Sequence, residues 1–146
     1  MITVYSTKNA KATVFSSNRV YRYVLWREWN QLLSAPFRYA MFIGLNPSTA
    51  DETKNDPTVR KCIGFAKRWG YDGLCMTNLF AFRATDPGAM LKDLAPIGPD
   101  NDDWLVKSAA KADKVVAAWG CDGKHLSRDQ RVVHEVLEKT CLYCLG

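Results

Sequence analysis

The chain has 146 residues, 47% of them hydrophobic and 24% charged, the make-up of one globular domain with a substantial core rather than of a disordered segment. No apolar run approaches the roughly 18 residues that span a bilayer, and Lys8 and Lys11 interrupt the N-terminal stretch where a signal peptide needs an apolar region. The expectation is a cytoplasmic protein with no membrane association, whose net charge of +5 is compatible with DNA, RNA or a nucleotide as partner without demanding one.

The first 30 residues read as β. Residues 12–16 form a short strand, Ser17-Asn18 a turn, and residues 20–26 a second strand of β-rich composition. Their antiparallel hairpin is expected at one edge of a sheet, with Arg19, Arg22 and Arg27 outward. Residues 38–44 follow, and the run Tyr39-Ala40-Met41-Phe42-Ile43 suits a central strand covered on both faces. Asp56-Pro57 opens a helix with a capping carboxylate and proline at the first helical position. Val59, Cys62, Ile63 and Ala66 recur at helical spacing, and Gly70 ends the run.

Residues 73–79 are the next buried strand. Asp86-Pro87 starts a short helix through Leu91, and residues 99–112 form a longer one with Trp104, Leu105, Ser108, Ala109 and Ala112 along one side. Residues 114–119 form a strand. Ser127-x-x-Gln130 has the form of a capping box before a helix carrying Val132, Val133, Val136 and Leu137, and residues 141–145 form the last strand. This alternation predicts a single α/β domain over residues 1–146, with three α/β/α layers, a mostly parallel central sheet and an N-terminal antiparallel hairpin.

The five cysteines are Cys62, Cys75, Cys121, Cys141 and Cys144. An odd number without a secretory signal predicts reduced thiols. Cys141-x-x-Cys144 has metal-ligand spacing, but no second pair completes a zinc site, and both residues are expected as small core residues of the last strand. Arg60, Lys61, Lys67 and Arg68 share one helix and are expected on its solvated face. No metal or cofactor site can be assembled: the sequence has no glycine-rich phosphate fingerprint and no P-loop lysine.

In open α/β sheets ligands bind beyond the carboxyl ends of the strands. Three such ends carry polar groups here: Gly44-Leu45-Asn46-Pro47-Ser48-Thr49-Ala50-Asp51 running on to Asp56, Asn78 followed by Arg83-Ala84-Thr85-Asp86, and Trp119-Gly120-Cys121-Asp122-Gly123-Lys124-His125. The amide of Asn46 offers a donor and an acceptor with which to orient a water or a carbonyl. Ser48 and Thr49 either donate to a ligand or close local turns. Asp51 and Asp56 are candidate general bases, although Asp56 has a sufficient role as the helix cap. Asn78 stands at a strand end, where a polar side chain needs a partner. Arg83 is suited to a phosphate or carboxylate, with a surface ion pair to Asp86 as its alternative. His125 lies in a loop that reaches towards the strand ends, whereas His134 is expected at the surface.

The segments residues 42–51, Asp56-Pro57-Thr58-Val59-Arg60-Lys61-Cys62, Trp69-Gly70, residues 77–85, Pro96-Ile97-Gly98-Pro99-Asp100-Asn101 and Ala117-Ala118-Trp119-Gly120 together resemble a bacterial and phage family known as domain of unknown function 1643. Members of that family usually continue past a Cys-Leu-Gly strand into a His-Pro-Leu-Tyr-like tail, a motif not present in this sequence. A more distant resemblance is to the uracil-DNA glycosylase superfamily. Strand-Gly44-x-Asn46-Pro47 is similar to its first motif, whose Asn or Asp orients the attacking water. Asn78 followed by Arg83 is similar to a stretch in which a strand-end Asn reads the base, and residues 115–120 resemble a later strand ending in glycine. Ser48 replaces the glycine of the Asn-Pro-Gly version, and the later His-Pro motif is missing.

The resemblance implies a glycosylase-like fold and N-glycosidic hydrolysis of a base or nucleotide. Asn46 and Asp51 would be the catalytic residues, and Gly44, Pro47, Ser48, Thr49, Asn78, Arg83 and Trp119 the binding ones, with Arg83 or Lys124 meeting phosphate. The alternative is a non-catalytic binder of nucleic acid or nucleotide using the same pocket.

Overall fold

The computed structural model describes residues 2–7, 11–29 and 37–145; the β expectation for residues 8–10 and 30 falls outside them. The strands are β1 (Ile2–Thr7), β2 (Lys11–Ser16), β3 (Arg22–Glu28), β4 (Tyr39–Gly44), β5 (Gly73–Asn78), β6 (Lys114–Ala117) and β7 (Leu142–Cys144). The helices are α1 (Pro57–Arg68), α2 (Pro87–Lys92), α3 (Asn101–Ala110) and α4 (Arg128–Arg131). α4 follows a 3-10 segment over Cys121–Ser127 and runs on as a π-turn over Val132–Val136.

One seven-stranded sheet orders these strands β1-β2-β3-β5-β4-β6-β7. β4 pairs in parallel with β5 and β6, and β6 with β7, whereas β1–β2, β2–β3 and β3–β5 are antiparallel. The sheet is therefore mixed, not mostly parallel as the alternation suggested. Among the described residues, strand–helix alternation begins only at β4 and no helix precedes it, and β3 docks directly on β5 with Leu25 opposite Met76. The hairpin consequently lies inside the sheet, and β1 takes the edge beyond it.

β4 illustrates why the sheet has two covered faces. All six of its residues are buried, and successive side chains point to opposite sides. Tyr39, Met41 and Ile43 pack with Leu105 of α3 and with Val132 and Leu137. Ala40 and Phe42 pack with Val59, Cys62 and Ala66 of α1. Helices on both faces make three layers. α1 itself forms as expected: Asp56 accepts from the Val59 N–H at 2.9 Å, Pro57 starts the helix, and Gly70 follows it at φ +83°, a conformation open to glycine without a Cβ penalty. Its Arg60, Lys61, Lys67 and Arg68 are exposed.

Three local expectations are corrected. Arg22 and Arg27 are not outward but 2% and 3% exposed, because their guanidinium groups reach the backbone of the loop after β4 rather than solvent. Ser127 does not cap a helix: it sits at φ 54° and makes no capping bond. Cys141 and Cys144 are exposed rather than in the core, because β7 is a three-residue strand at the sheet's outer edge. No helix among the described residues is long and apolar enough to cross a membrane.

Candidate functional site

β4, β5 and β6 run parallel, so their carboxyl ends lie side by side. The chain steps from β4 through α1 to β5 on one side, then returns to place β6 on the other. Such a reversal of strand order leaves a crevice at the shared strand ends. A cavity of about 400 Å3 occupies that position, walled by Gly44 at the end of β4, Asn46 just after it, Met76 and Asn78 of β5, and Ala118 after β6. Asp56, Pro57 and Thr58 at the start of α1, with Thr85 and Pro87 at the start of α2, form the rest of its rim.

The walls are laced together by backbone. Leu79 N donates to Gly44 O at 2.9 Å, Phe80 N to Leu45 O at 3.0 Å, Ala84 N to Pro47 O at 2.9 Å and Ala118 N to Ile43 O at 2.9 Å. Asn46 adds its side chain, with Nδ2 donating to Pro47 O at 3.1 Å and Ala84 O at 3.0 Å. This leaves Oδ1 of Asn46 as an acceptor that no described donor reaches.

Asn78 is 1% exposed, yet its Nδ2 is buried with no hydrogen-bond acceptor. A buried amide donor in that state costs about 1–3 kcal/mol. Its position is tightly set. A Cβ on Gly44 would lie 2.8 Å from Asn78 Oδ1, so glycine at 44 is what admits the amide. On the other side, Asn101 Nδ2 donates to the Asn78 and Leu79 carbonyls, and Arg128 Nε donates to Leu79 O at 2.9 Å while its Nη2 pairs with Asp102.

The loop over residues 48–56 rests on buried arginines. Arg22 Nη1 donates to Ala50 O at 3.0 Å. Burial pushes the Arg22 guanidinium down to about 10, with nearby Asp56 opposing the shift. Arg27 donates from Nε to Asn55 Oδ1 at 2.8 Å and from Nη2 to the carbonyls of Asp51 and Lys54. Asp56 accepts from Ala50 N at 3.3 Å with Oδ2 and from Val59 N with Oδ1, so both its oxygens are engaged.

Of the residues singled out from the sequence, Gly44, Asn46, Ser48 and Asn78 line the cavity. Pro47 is buried and outside the lining, and Thr49 is exposed. Asp51 does not line it. Its carboxylate accepts from Thr53 N, Thr53 Oγ1 and Lys54 N, and although burial opposes this, those bonds hold its pKa below the ordinary carboxylate value. Arg83 also lies outside the lining. Its guanidinium sits 4.8 Å over the Phe15 ring and donates to Arg19 O at 3.3 Å, in place of an ion pair with Asp86.

Trp119 is turned away to pack on Gly123, where a Cβ would meet its Cδ1 at 2.3 Å. His125 packs 5.6 Å from the Phe80 ring, and Lys124 and His134 are exposed. Thus all three strand ends meet, but the third contributes Ala118 rather than the polar loop after it. Among the described residues no three His, Cys, Asp or Glu side chains gather as metal ligands.

Sequence reasoning passed over Asn101, Arg128 and the inward roles of Arg22 and Arg27. For Asn101 a signal existed: it shares the i, i+4, i+7 side of α3 with Leu105 and Ser108, and all three are buried. The arginines had none, because what holds them is loop backbone distant in sequence.

The fold and cavity define an α/β domain with a cavity at its strand ends. The chain belongs to the family described as "Protein of unknown function (DUF1643)", which it matches over residues 22–146. No curated protein and no solved structure matches it.

Proposed function

We propose that the strand-end cavity binds a nucleobase or nucleotide and that the protein hydrolyses the N-glycosidic bond of that ligand. The observation that carries this reading is Asn78, which lines a cavity of about 400 Å3 and whose buried Nδ2 has no hydrogen-bond acceptor; that volume is within the roughly 300–1,000 Å3 of small-molecule sites. A ligand carbonyl accepting from Nδ2 would remove the desolvation penalty of the bare amide. Asn46 supplies a fixed acceptor, Oδ1, suited to holding a water. The similarity of Gly44-x-Asn46-Pro47 and of Asn78 with Arg83 to uracil-DNA glycosylase motifs supports the same assignment.

In this reaction the oxygen of the water held by Asn46 bonds to the anomeric carbon as the carbon–nitrogen bond breaks. The bonding pair leaves on the base nitrogen, and a proton from the water reaches that nitrogen through solvent. A base in duplex DNA would first have to be flipped out of the stack.

A second reading, binding without catalysis, is favoured by the chemistry of the cavity's carboxylate. Asp56 lines the cavity with both oxygens engaged, and Asp51 is outside, so no free general base faces the ligand. Release of free base from modified oligonucleotides and from nucleotides, measured for wild type, Asn46→Ala and Asn78→Ala, decides between them. Release that both variants lose, with folding retained, supports hydrolysis. Asn78-dependent binding without release selects the binder. Neither binding nor release overturns both.

A further inference from the structure

The electrostatics of the cavity follow from how its two helix ends are finished. A bare helix N-terminus offers free N–H groups and the positive end of the dipole, which together attract anions. α1 and α2 both begin Asp-Pro, and Pro57 and Pro87 both line the cavity. Proline at the first helical position has no N–H to offer. The aspartates take most of the rest: Val59 N donates to Asp56 Oδ1, Gly88 N donates to Asp86 Oδ1 at 3.0 Å, and Ala89 N turns back to Asp86 O at 3.1 Å. Among the first three positions of both helices, only the Thr58 N–H is left without an acceptor in the described structure.

The caps also place a carboxylate at each positive helix end. Arg22 balances Asp56 from behind the loop, but it does not line the cavity and its Nη1 is committed to Ala50 O. Among the described residues, no lysine, arginine or histidine lines the cavity. The donors on the wall, Asn78 Nδ2, the hydroxyls of Ser48, Thr58 and Thr85 and backbone N–H groups such as that of Thr58, are neutral. Stripping water from a phosphate is compensated best by charged partners, and among the described residues this wall offers no cation.

We propose that the cavity selects the uncharged part of its ligand and excludes phosphate: it takes a neutral, carbonyl-bearing heterocycle or amide through Asn78, and any phosphate of the ligand stays outside. The choice of a nucleobase as that neutral group rests on the reading above; the charge selection does not.

The test uses free nucleobases, their nucleosides and 5′-monophosphates, inorganic phosphate, and the matched pair benzamide and benzoate. Binding is read by saturation-transfer NMR on the whole chain and on Asn78→Ala. Nucleosides and benzamide should bind in an Asn78-dependent way, adding the 5′-phosphate should change affinity by less than about tenfold, and millimolar phosphate should displace nothing. Asp86→Asn keeps a capping oxygen and removes one carboxylate, and Asp56→Asn does the same at α1; both should improve monophosphate binding relative to the nucleoside.

Monophosphates gaining more than about tenfold over nucleosides, displacement by phosphate, preference for benzoate, or no change in either cap variant each overturn the proposal. Benzamide binding without any nucleobase or nucleoside binding removes the nucleobase reading and leaves charge selection standing. If no neutral compound binds, both fall.

Discussion

The side-chain amide of Asn101 bridges two consecutive carbonyls, donating to Asn78 O at 2.9 Å and to Leu79 O at 3.0 Å. It fixes the end of β5 at Asn78, which lines the cavity. Asn101→Leu removes the side-chain donor to Asn78 O and one of the two donors to Leu79 O, which keeps Arg128 Nε, and the expected loss is about 2–4 kcal/mol of unfolding free energy by urea titration. Ligand binding at the cavity should weaken in parallel, because Asn78 is no longer held.

Gly44→Ala separates site geometry from stability. The new Cβ would stand 2.8 Å from Asn78 Oδ1 and 2.8 Å from Met76 Cε. Both are side-chain ends that can move, so the stability loss should stay near about 1–2 kcal/mol. The displaced Asn78 amide should nevertheless reduce base binding or release by at least about tenfold, roughly the effect of one misplaced hydrogen bond. Unchanged binding would show that Asn78 does not read the ligand.

Arg22 supports the loop that forms one wall of the cavity. Replacing it by methionine removes the bond to Ala50 O and strips Asp56 of a nearby buried cation. The expected loss is about 2–4 kcal/mol, read by thermal and chemical denaturation. A change below about 0.5 kcal/mol, as at an ordinary surface site, would contradict the buried role.

Asp51 predicts an acid limb. Its folded pKa is depressed by hydrogen bonds from Thr53 and Lys54, which outweigh burial. A depressed carboxylate stabilises the fold above its ordinary pKa and loses that contribution as pH falls through the lower folded value. Stability should therefore decline below about pH 4. Asp51→Asn keeps an acceptor for the turn but does not titrate, so its decline should be shallower. Glu52 changes in the same direction, chiefly through its bond from Arg19 at 2.9 Å.

The cysteines should divide three to two on native alkylation. Cys121, Cys141 and Cys144 are exposed, whereas Cys62 and Cys75 are buried with thiols pushed up to about 12 by burial. Mass spectrometry after brief iodoacetamide treatment should find the first three modified, and the other two only after denaturation.

Much of this architecture is legible in the order of residues alone. The apolar run of β4, the Asp-Pro starts of α1 and α2 and the glycine after α1 are local signals, because each depends on backbone preferences within a few residues. They are enough to place Gly44, Asn46, Ser48 and Asn78 at neighbouring strand ends, where the cavity lies. Tertiary structure decided the rest. The antiparallel docking of β3 on β5 joins residues 45 to 51 positions apart, and no local pattern records it. Arg22 and Arg27 look like outward charges on an alternating strand, but turn inward because distant loop carbonyls need donors. Asp51 and Asn78 are both polar residues near strand ends. The first closes its own turn with bonds two and three residues away, and the second is buried without a partner, since burial and hydrogen-bond satisfaction depend on which segments meet in space.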